Sequence, residues 1–185
     1  MSTHRLDHRP ASEPTGWSRA ALAIGNKAIY PGQGPCRVGR VVKRVVDARA
    51  IMFYHLTVLD DSRGDLFVPV EKARAIGVRL LMKKSEIPGL LSHLKKSAKT
   101  ADNWKQRATD NLKLFSSGSP YDLAEVVASL TELGDKRSLT LGESVTLGRA
   151  RRLLICEISE VMGETKAAVE EQIDYALKRQ KKNEN

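Results

Sequence analysis

The spacing of the apolar residues changes once along this chain, close to Lys84, and this change constrains the fold more than any other feature. Before it, β-rich runs at 28–30, 36–46, 53–59 and 66–70 are separated by Gly, Pro and Asp. After it, apolar residues recur at helical spacing, as they do from Leu123 to Leu133. A period near two predicts strands and a period near 3.6 predicts helices. The sequence therefore predicts an α+β protein with two domains.

The first half predicts a small β-barrel. Together with a further short strand expected at 75–80, it holds about five strands, enough for a closed SH3-like barrel rather than a sandwich. Residues 60–65 have the composition of a hairpin turn. Regular alternation along 36–46 would place Val38, Arg40, Val42 and Arg44 on one face of the sheet.

The second half predicts an all-α bundle of about five helices. Asn103 can cap one helix, and Ser119 before Pro120 can begin another. Thr140 with Glu143 has the spacing of a capping box. The expected division is a disordered tail at 1–21, a β domain at 22–81, a helical domain at 82–180 and a basic tail at 181–185.

The charge of the chain favours an anionic partner. The 185 residues have a net charge of +9, and residues 83–113 hold eight Lys or Arg against three acidic residues. Such a surface is typical of nucleic-acid binding, although a basic face that only contacts solvent is an equal alternative.

Cys36 and Cys156 have no metal-like spacing and are predicted to be buried thiols. No apolar run has membrane-spanning length, so a cytoplasmic protein is expected.

Catalytic motifs are not found in the sequence. It has no Gly-rich phosphate loop and no Gly-x-Ser-x-Gly, and its four histidines do not cluster. This pattern favours a binding protein over an enzyme, with no cofactor and no metal.

Trp104 is the leading candidate for a functional residue. It follows Asn103 at an expected helix start, and Lys105, Arg107 and Lys113 come after it. A large ring among cations suits a wedge against stacked bases, with the charges on phosphate. The alternative is that Trp104 begins an apolar stripe with Ala108, Asn111, Leu112 and Phe115. Arg149, Arg151 and Arg152 can likewise contact phosphate or form a solvated face.

The order of several short motifs resembles the CarD and CdnL family of bacterial transcription regulators. In the first half they are Gly25-x-Lys27-Ala28-Ile29-Tyr30-Pro31-x-Gln33-Gly34, Val68-Pro69-Val70 and Ala75-Ile76-Gly77-Val78-Arg79. In the second half they are Asn103-Trp104-x-x-Arg107, Asn111-Leu112, Ser117-Gly118, Leu123-Ala124-Glu125-Val126-Val127, Leu139-x-x-Gly142-Glu143 and Ala150-Arg151-x-Leu153-Leu154. The resemblance spans about residues 22–177.

This resemblance implies a non-enzymatic regulator with two partners. A Tudor-like N-terminal barrel would bind the β subunit of RNA polymerase, in a holoenzyme with the primary sigma factor. The helical domain would contact promoter DNA at the upstream edge of the bubble, where a tryptophan wedge in the minor groove stabilises the open complex. The protein would work as a monomer in the cytoplasm, associated with the nucleoid and without a membrane partner.

The resemblance also assigns roles to residues. Trp104 matches the wedge, and Lys105 and Arg107 match its phosphate-contacting neighbours. Gln106 and Thr109 stand where several relatives have basic residues, so DNA binding should be weaker or depend more on Lys105 and Lys113. The expected DNA-binding set is Trp104, Lys105, Arg107, Lys113, Arg149 and Arg152.

On the barrel, Arg44 matches a basic residue used on polymerase, and Phe67 with Pro69 matches an apolar contact pair. Alternation along 66–70 places Val68 in the core. Two other classes of function remain open: a module that binds RNA or the ribosome, and a protein-interaction adaptor whose basic segment is incidental.

Overall fold

The computed structural model describes residues 22–60, 64–95 and 103–182. The predicted tail at 1–21, residues 61–63 of the predicted turn and residues 183–185 of the predicted C-terminal tail lie outside these ranges. No helix in the described ranges is long and apolar enough to cross a membrane.

The N-terminal part is a five-stranded antiparallel sheet with the order β4-β3-β2-β1-β5. Its β-rich runs become strands because β-branched and aromatic residues pack well on a pleated surface. The strands are β1 (Lys27–Tyr30), β2 (Gly34–Val46), β3 (Arg49–Val58), β4 (Asp65–Pro69) and β5 (Arg79–Leu80).

The last strand is shorter than the sequence predicts. Residues 75 and 76 belong to a short helix, α1 (Ala73–Ile76), which follows a 3-10 turn at Val70–Lys72. Gly77 ends α1 in the left-handed conformation, with φ +92°, and its N–H donates to the carbonyls of Ala73 and Arg74. The prediction of a strand over all of 75–80 was therefore wrong, because glycine here caps a helix.

Strand β2 contains a bulge that changes which residues share a face. Val38 pairs with Leu56 but Val41 pairs with Tyr54, so Gly39 and Arg40 together lie opposite His55. An extra residue in one strand reverses its alternation beyond the bulge. The prediction that Val38 and Arg44 share a face was therefore wrong.

Five further helices form the C-terminal part, as the sequence predicts. They are α2 (Ile87–His93), α3 (Trp104–Ser116), α4 (Pro120–Lys136), α5 (Leu141–Met162) and α6 (Lys166–Lys182). The caps of three of them are the predicted ones: Asn103 for α3, Ser119 for α4, and Thr140 with Glu143 for α5. The α+β prediction is confirmed.

Two separate hydrophobic clusters stabilise the two parts. The sheet buries Val38, Leu56, Val58 and Val68 on one side. The helices bury a larger cluster around α4, whose inner face includes Leu123, Val126, Val127 and Leu130. Both cysteines are buried thiols outside any disulfide, as expected, and burial raises the pKa of the Cys36 thiol to about 11.

Candidate functional site

The bulge in β2 brings the three predicted barrel residues to the same face of the sheet. Beyond the bulge, Arg44 pairs with Ile51. On β4, Phe67 pairs with His55 and Pro69 pairs with Phe53. Because side chains of directly paired residues point to the same face, these residues all lie opposite the buried Val38 and Val68. We call Arg44, His55, Phe67 and Pro69 the Arg44 face.

Direct contacts order the aromatic ring at the centre of the Arg44 face. The guanidinium carbon of Arg44 lies 3.7 Å from the centroid of the Phe67 ring. The His55 ring stacks on Phe67 with centroids 5.1 Å apart. Phe67 is still 39% exposed, which is unusual for a phenylalanine in a sheet. The face thus offers an accessible aromatic ring beside a fixed cation.

A carboxylate at the edge of the face holds His55. His55 Nε2 lies 2.9 Å from Asp65 Oδ1, and Thr57 Oγ1 donates to the same oxygen at 3.0 Å. These hydrogen bonds, that from His55 first, lower the pKa of Asp65. The chain of contacts runs from β3 to β4 and fixes the imidazole against Phe67. Sequence reasoning missed His55, which was interpreted only as a strand residue.

The other predicted site begins at the first residue of α3, which is Trp104. Asn103 lies before it in extended conformation, and its side chain accepts a hydrogen bond from the Lys105 N–H. The cap fixes the helix start, and with it the backbone of Trp104, although the placement of the indole lies outside what the structure describes. Lys105 is exposed, and the side chain of Lys113 is 73% exposed.

Arg107 has different surroundings from these lysines. Its side chain is only 10% exposed and lies 3.5 Å from a Glu143 oxygen at the start of α5. Glu143 also accepts from Arg137 and from Thr140, and these contacts, that with Arg137 first, lower its pKa to about 2. In this position Arg107 joins α3 to α5.

The predicted arginines of α5 also contact neighbouring elements. Arg149 lies over the Phe115 ring at 5.0 Å. Arg152 pairs with Asp60 of the sheet domain at 3.3 Å and is 58% exposed. Arg151 pairs with Glu170 and Asp174 of α6.

Near these residues lie exposed apolar side chains that the sequence did not reveal. Leu112 on α3 is 65% exposed, although helical spacing had suggested that it belongs to the apolar stripe of that helix. Leu141 and Val145 on the first turns of α5 are 82% and 51% exposed. The less exposed side of α3 follows Arg107, Asn111, Leu114 and Phe115. The apolar pattern failed here because a buried arginine occupies a position that would otherwise mark the core.

Comparisons with known proteins agree in both halves of the chain. Residues 89–174 match the family model described as CarD, C-terminal domain. In addition, 38% of the chain is 31% identical to the solution structure of the 72-residue N-terminal domain of Myxococcus xanthus CarD, over 93% of that domain. The TM-score of that match is 0.29, so the assignment rests on sequence.

The chain is thus a sheet domain followed by a helical domain, and the matches in its two halves are both to CarD domains. The chain belongs to the CarD/CdnL family and is a CarD-like transcription factor.

Proposed function

We propose that this transcription factor binds the β subunit of RNA polymerase through Arg44, Phe67 and Pro69. At the same time its helical domain contacts promoter DNA at the upstream edge of the bubble. There Trp104 enters the minor groove as a wedge and stabilises the open complex. Lys105 and Lys113 contact the phosphates, and Arg149 and Arg152 lie further along the same domain.

The observation that carries the proposal is the ordered Arg44 face. Arginine and aromatic residues are enriched among the residues that dominate binding at protein interfaces. A cation over an aromatic ring contributes about 0.5–1 kcal/mol at an exposed site, which favours the stacked position of Phe67 by about two- to fivefold before binding. The contacts of Phe67 with Arg44 and His55 therefore support a preformed protein-binding surface.

The start of α3 supports the DNA contact. A helix start presents unpaired N–H groups and the positive end of the helix dipole, both of which favour phosphate. The exposed Lys105 and Lys113 add charge on the same helix. Because Arg107 is paired with Glu143, its role is to hold α3 against α5, and contact with phosphate would require it to leave that partner.

The two contacts reinforce each other. DNA at a bubble edge is already partly unstacked, so a wedge costs least there. A weak, sequence-tolerant DNA contact becomes effective once the sheet domain tethers it to polymerase, since tethering raises the local concentration.

The proposal is tested by the lifetime of the open complex on an unstable promoter with the cognate holoenzyme. We expect the wild-type protein to lengthen the lifetime. Trp104→Ala and Arg44→Glu should each abolish the extension, the first without loss of binding to the β subunit. Matched controls on α6 are Tyr175→Ala, which removes an aromatic ring that is 59% exposed, and Lys178→Glu, which makes the same charge change as Arg44→Glu.

Two results would contradict the proposal. One is a wild-type protein that leaves the lifetime unchanged. The other is a Trp104→Ala variant that extends it as well as wild type does. Tighter binding to folded RNA than to forked duplex DNA would instead favour an RNA-binding module.

A further inference from the structure

Helix α5 joins the helical domain to the sheet domain through three ion pairs. Glu157 pairs with Arg79, Glu160 with Lys27, and Arg152 with Asp60. The last two are partly exposed, and pairs that water reaches contribute little to stability. The Arg79–Glu157 pair is different, because its side chains are only 10% and 2% exposed.

Arg79 and Glu157 form a hub among four segments. The guanidinium donates to both carboxylate oxygens, at 2.6 and 2.8 Å. The same carboxylate accepts from the backbone N–H of Met82 at 3.1 Å, in the linker between the domains. Arg79 Nε donates to the carbonyl of Gly118, in the turn between α3 and α4, at 2.6 Å. The pair thus connects β5, the linker, the α3–α4 turn and α5.

The two domains pack so closely at this interface that the backbone leaves no room for larger residues. Gly77 and Gly118 meet so closely that a Cβ on Gly118 would lie 3.0 Å from the Gly77 carbonyl oxygen and 3.1 Å from Pro31. A Cβ on Gly34 would lie 3.1 Å from a methyl of Leu153 on α5. Glycine at these three positions therefore allows a tight contact, and the ion pair selects one orientation within it.

A buried ion pair is a poor source of net stability, because desolvation offsets most of its attraction. Its established use is to select one geometry among several, since any other arrangement leaves a buried charge unpaired. The fork of Arg79 is suited to this role because it fixes direction as well as distance.

We propose that the Arg79–Glu157 pair is an interdomain lock that fixes the Arg44 face relative to the start of α3. Arg79 and Glu157 are then positioning residues: they touch neither polymerase nor DNA, but they set the distance between the two contacts. The effect of the lock on the open complex rests on the proposed function. Tethering to polymerase raises the local concentration of the DNA-binding site only when that site lies within reach of the DNA and in the right orientation.

The lock is tested first without polymerase, by ¹⁵N relaxation of the full-length protein. In wild type, the amides of the sheet domain and of the helical domain should report one rotational correlation time. In Glu157→Gln, which removes the charge but keeps the shape, the two domains should report different times while their dispersed spectra show that both remain folded. Glu132→Gln, which removes an ion pair within α4, is the matched control and should keep a single time.

Arg79→Lys provides a second variant if Glu157→Gln fails to fold, because it keeps the charge and loses the fork. A common correlation time in whichever of these variants folds would overturn the lock. Two different times in the wild-type protein would overturn it as well, and that measurement needs no variant.

The functional arm uses the open-complex lifetime. Glu157→Gln should bind the isolated β subunit and forked DNA as wild type does, yet lose about tenfold or more of the lifetime extension. Full retention of the extension would refute the positioning role. If wild type gives no extension, the proposed function fails, while the relaxation data still decide whether the lock exists.

Discussion

Two cations only two positions apart on α3, Lys105 and Arg107, are placed in opposite environments. Lys105 is exposed beside the helix cap, whereas Arg107 is 10% exposed and lies against Glu143. From sequence the two had the same predicted role, because a basic residue near an expected wedge indicates phosphate contact. Burial depends on the neighbouring helix, and the position of α5 cannot be read from the residues of α3. The charge of each side chain could be predicted from the sequence, but the group that each side chain contacts could not.

Glu143 gives this cluster a dependence on pH. Its pKa is about 2, mainly because of the hydrogen bond from Arg137, against an ordinary value of 4.5. A carboxylate with a lowered folded-state pKa stabilises the fold fully above the unfolded pKa, and its contribution is lost as the pH falls from about 4.5 to about 2.

We predict that Glu143→Gln lowers the free energy of unfolding by about 1–2 kcal/mol at neutral pH, since it removes charged hydrogen bonds. Urea unfolding at about pH 7 and about pH 3 measures the change. The difference in free energy of unfolding between wild type and Glu143→Gln should be smaller at the lower pH. The control Glu171→Gln, at an exposed position on α6, should change the free energy of unfolding little at either pH. A difference in free energy of unfolding that grows on acidification would contradict the lowered pKa of Glu143.

At the scale of elements, the sequence was sufficient where local chemistry decides. The five longer helices and their caps at Asn103, Ser119 and Thr140 follow from side chains that bond to the adjacent backbone. The sequence was insufficient where pairing with another strand determines which face of the sheet a residue lies on. The bulge at Gly39 is defined only by its register with β3, and it reverses the faces that alternation had predicted for β2. Arg44 and Phe67 were predicted as separate contacts, but it is the bulge that places them together.

Gly39 is required at this bulge because of His55. A Cβ on Gly39 would lie 3.1 Å from both the Nδ1 atom and the carbonyl oxygen of His55, so the imidazole and its backbone would have to move. We predict that Gly39→Ala destabilises the protein by about 1–3 kcal/mol. It should also shift the ring resonances of Phe67 and weaken binding to the β subunit.

Gly64→Ala, immediately before β4, is the matched control, because a Cβ there meets nothing within 4 Å. Chemical denaturation, NMR of the aromatic region and titration with the β subunit provide the three readouts. If Gly39→Ala retains wild-type ring shifts and affinity, the bulge does not position the Arg44 face.

At the scale of the molecule, the unit that matters is the pair of domains in contact. Each domain has its own core, and sequence patterns located both. Their contact could not be predicted in the same way, since much of it depends on residues with no apolar signature: glycines, the Arg79–Glu157 pair and backbone carbonyls. The family-like motifs contained Arg79 and Gly118, but nothing in their spacing indicated that the two would meet.

The contact between the domains leads to a prediction about the cooperativity of unfolding. Gly118 and Gly163 both have positive φ, +76° and +71°, so replacing either by alanine has a similar backbone cost of about 1–2 kcal/mol. They differ in surroundings: a Cβ at Gly163 meets nothing within 4 Å, whereas one at Gly118 meets a backbone oxygen of the other domain. Gly118→Ala should therefore cost roughly 1–3 kcal/mol more than Gly163→Ala.

Scanning calorimetry separates the two effects. We expect wild type and Gly163→Ala to unfold in one transition, with equal calorimetric and van't Hoff enthalpies, the variant at a lower temperature. In Gly118→Ala the domains should uncouple, so the calorimetric enthalpy should exceed the van't Hoff value and the peak should broaden or split. If both variants lose the same stability in a single transition, the close approach of Gly77 and Gly118 does not couple the domains. The domains would then have to be held together by their other contacts, among them the ion pairs of α5, and the relaxation of Glu157→Gln tests the buried one of these pairs independently.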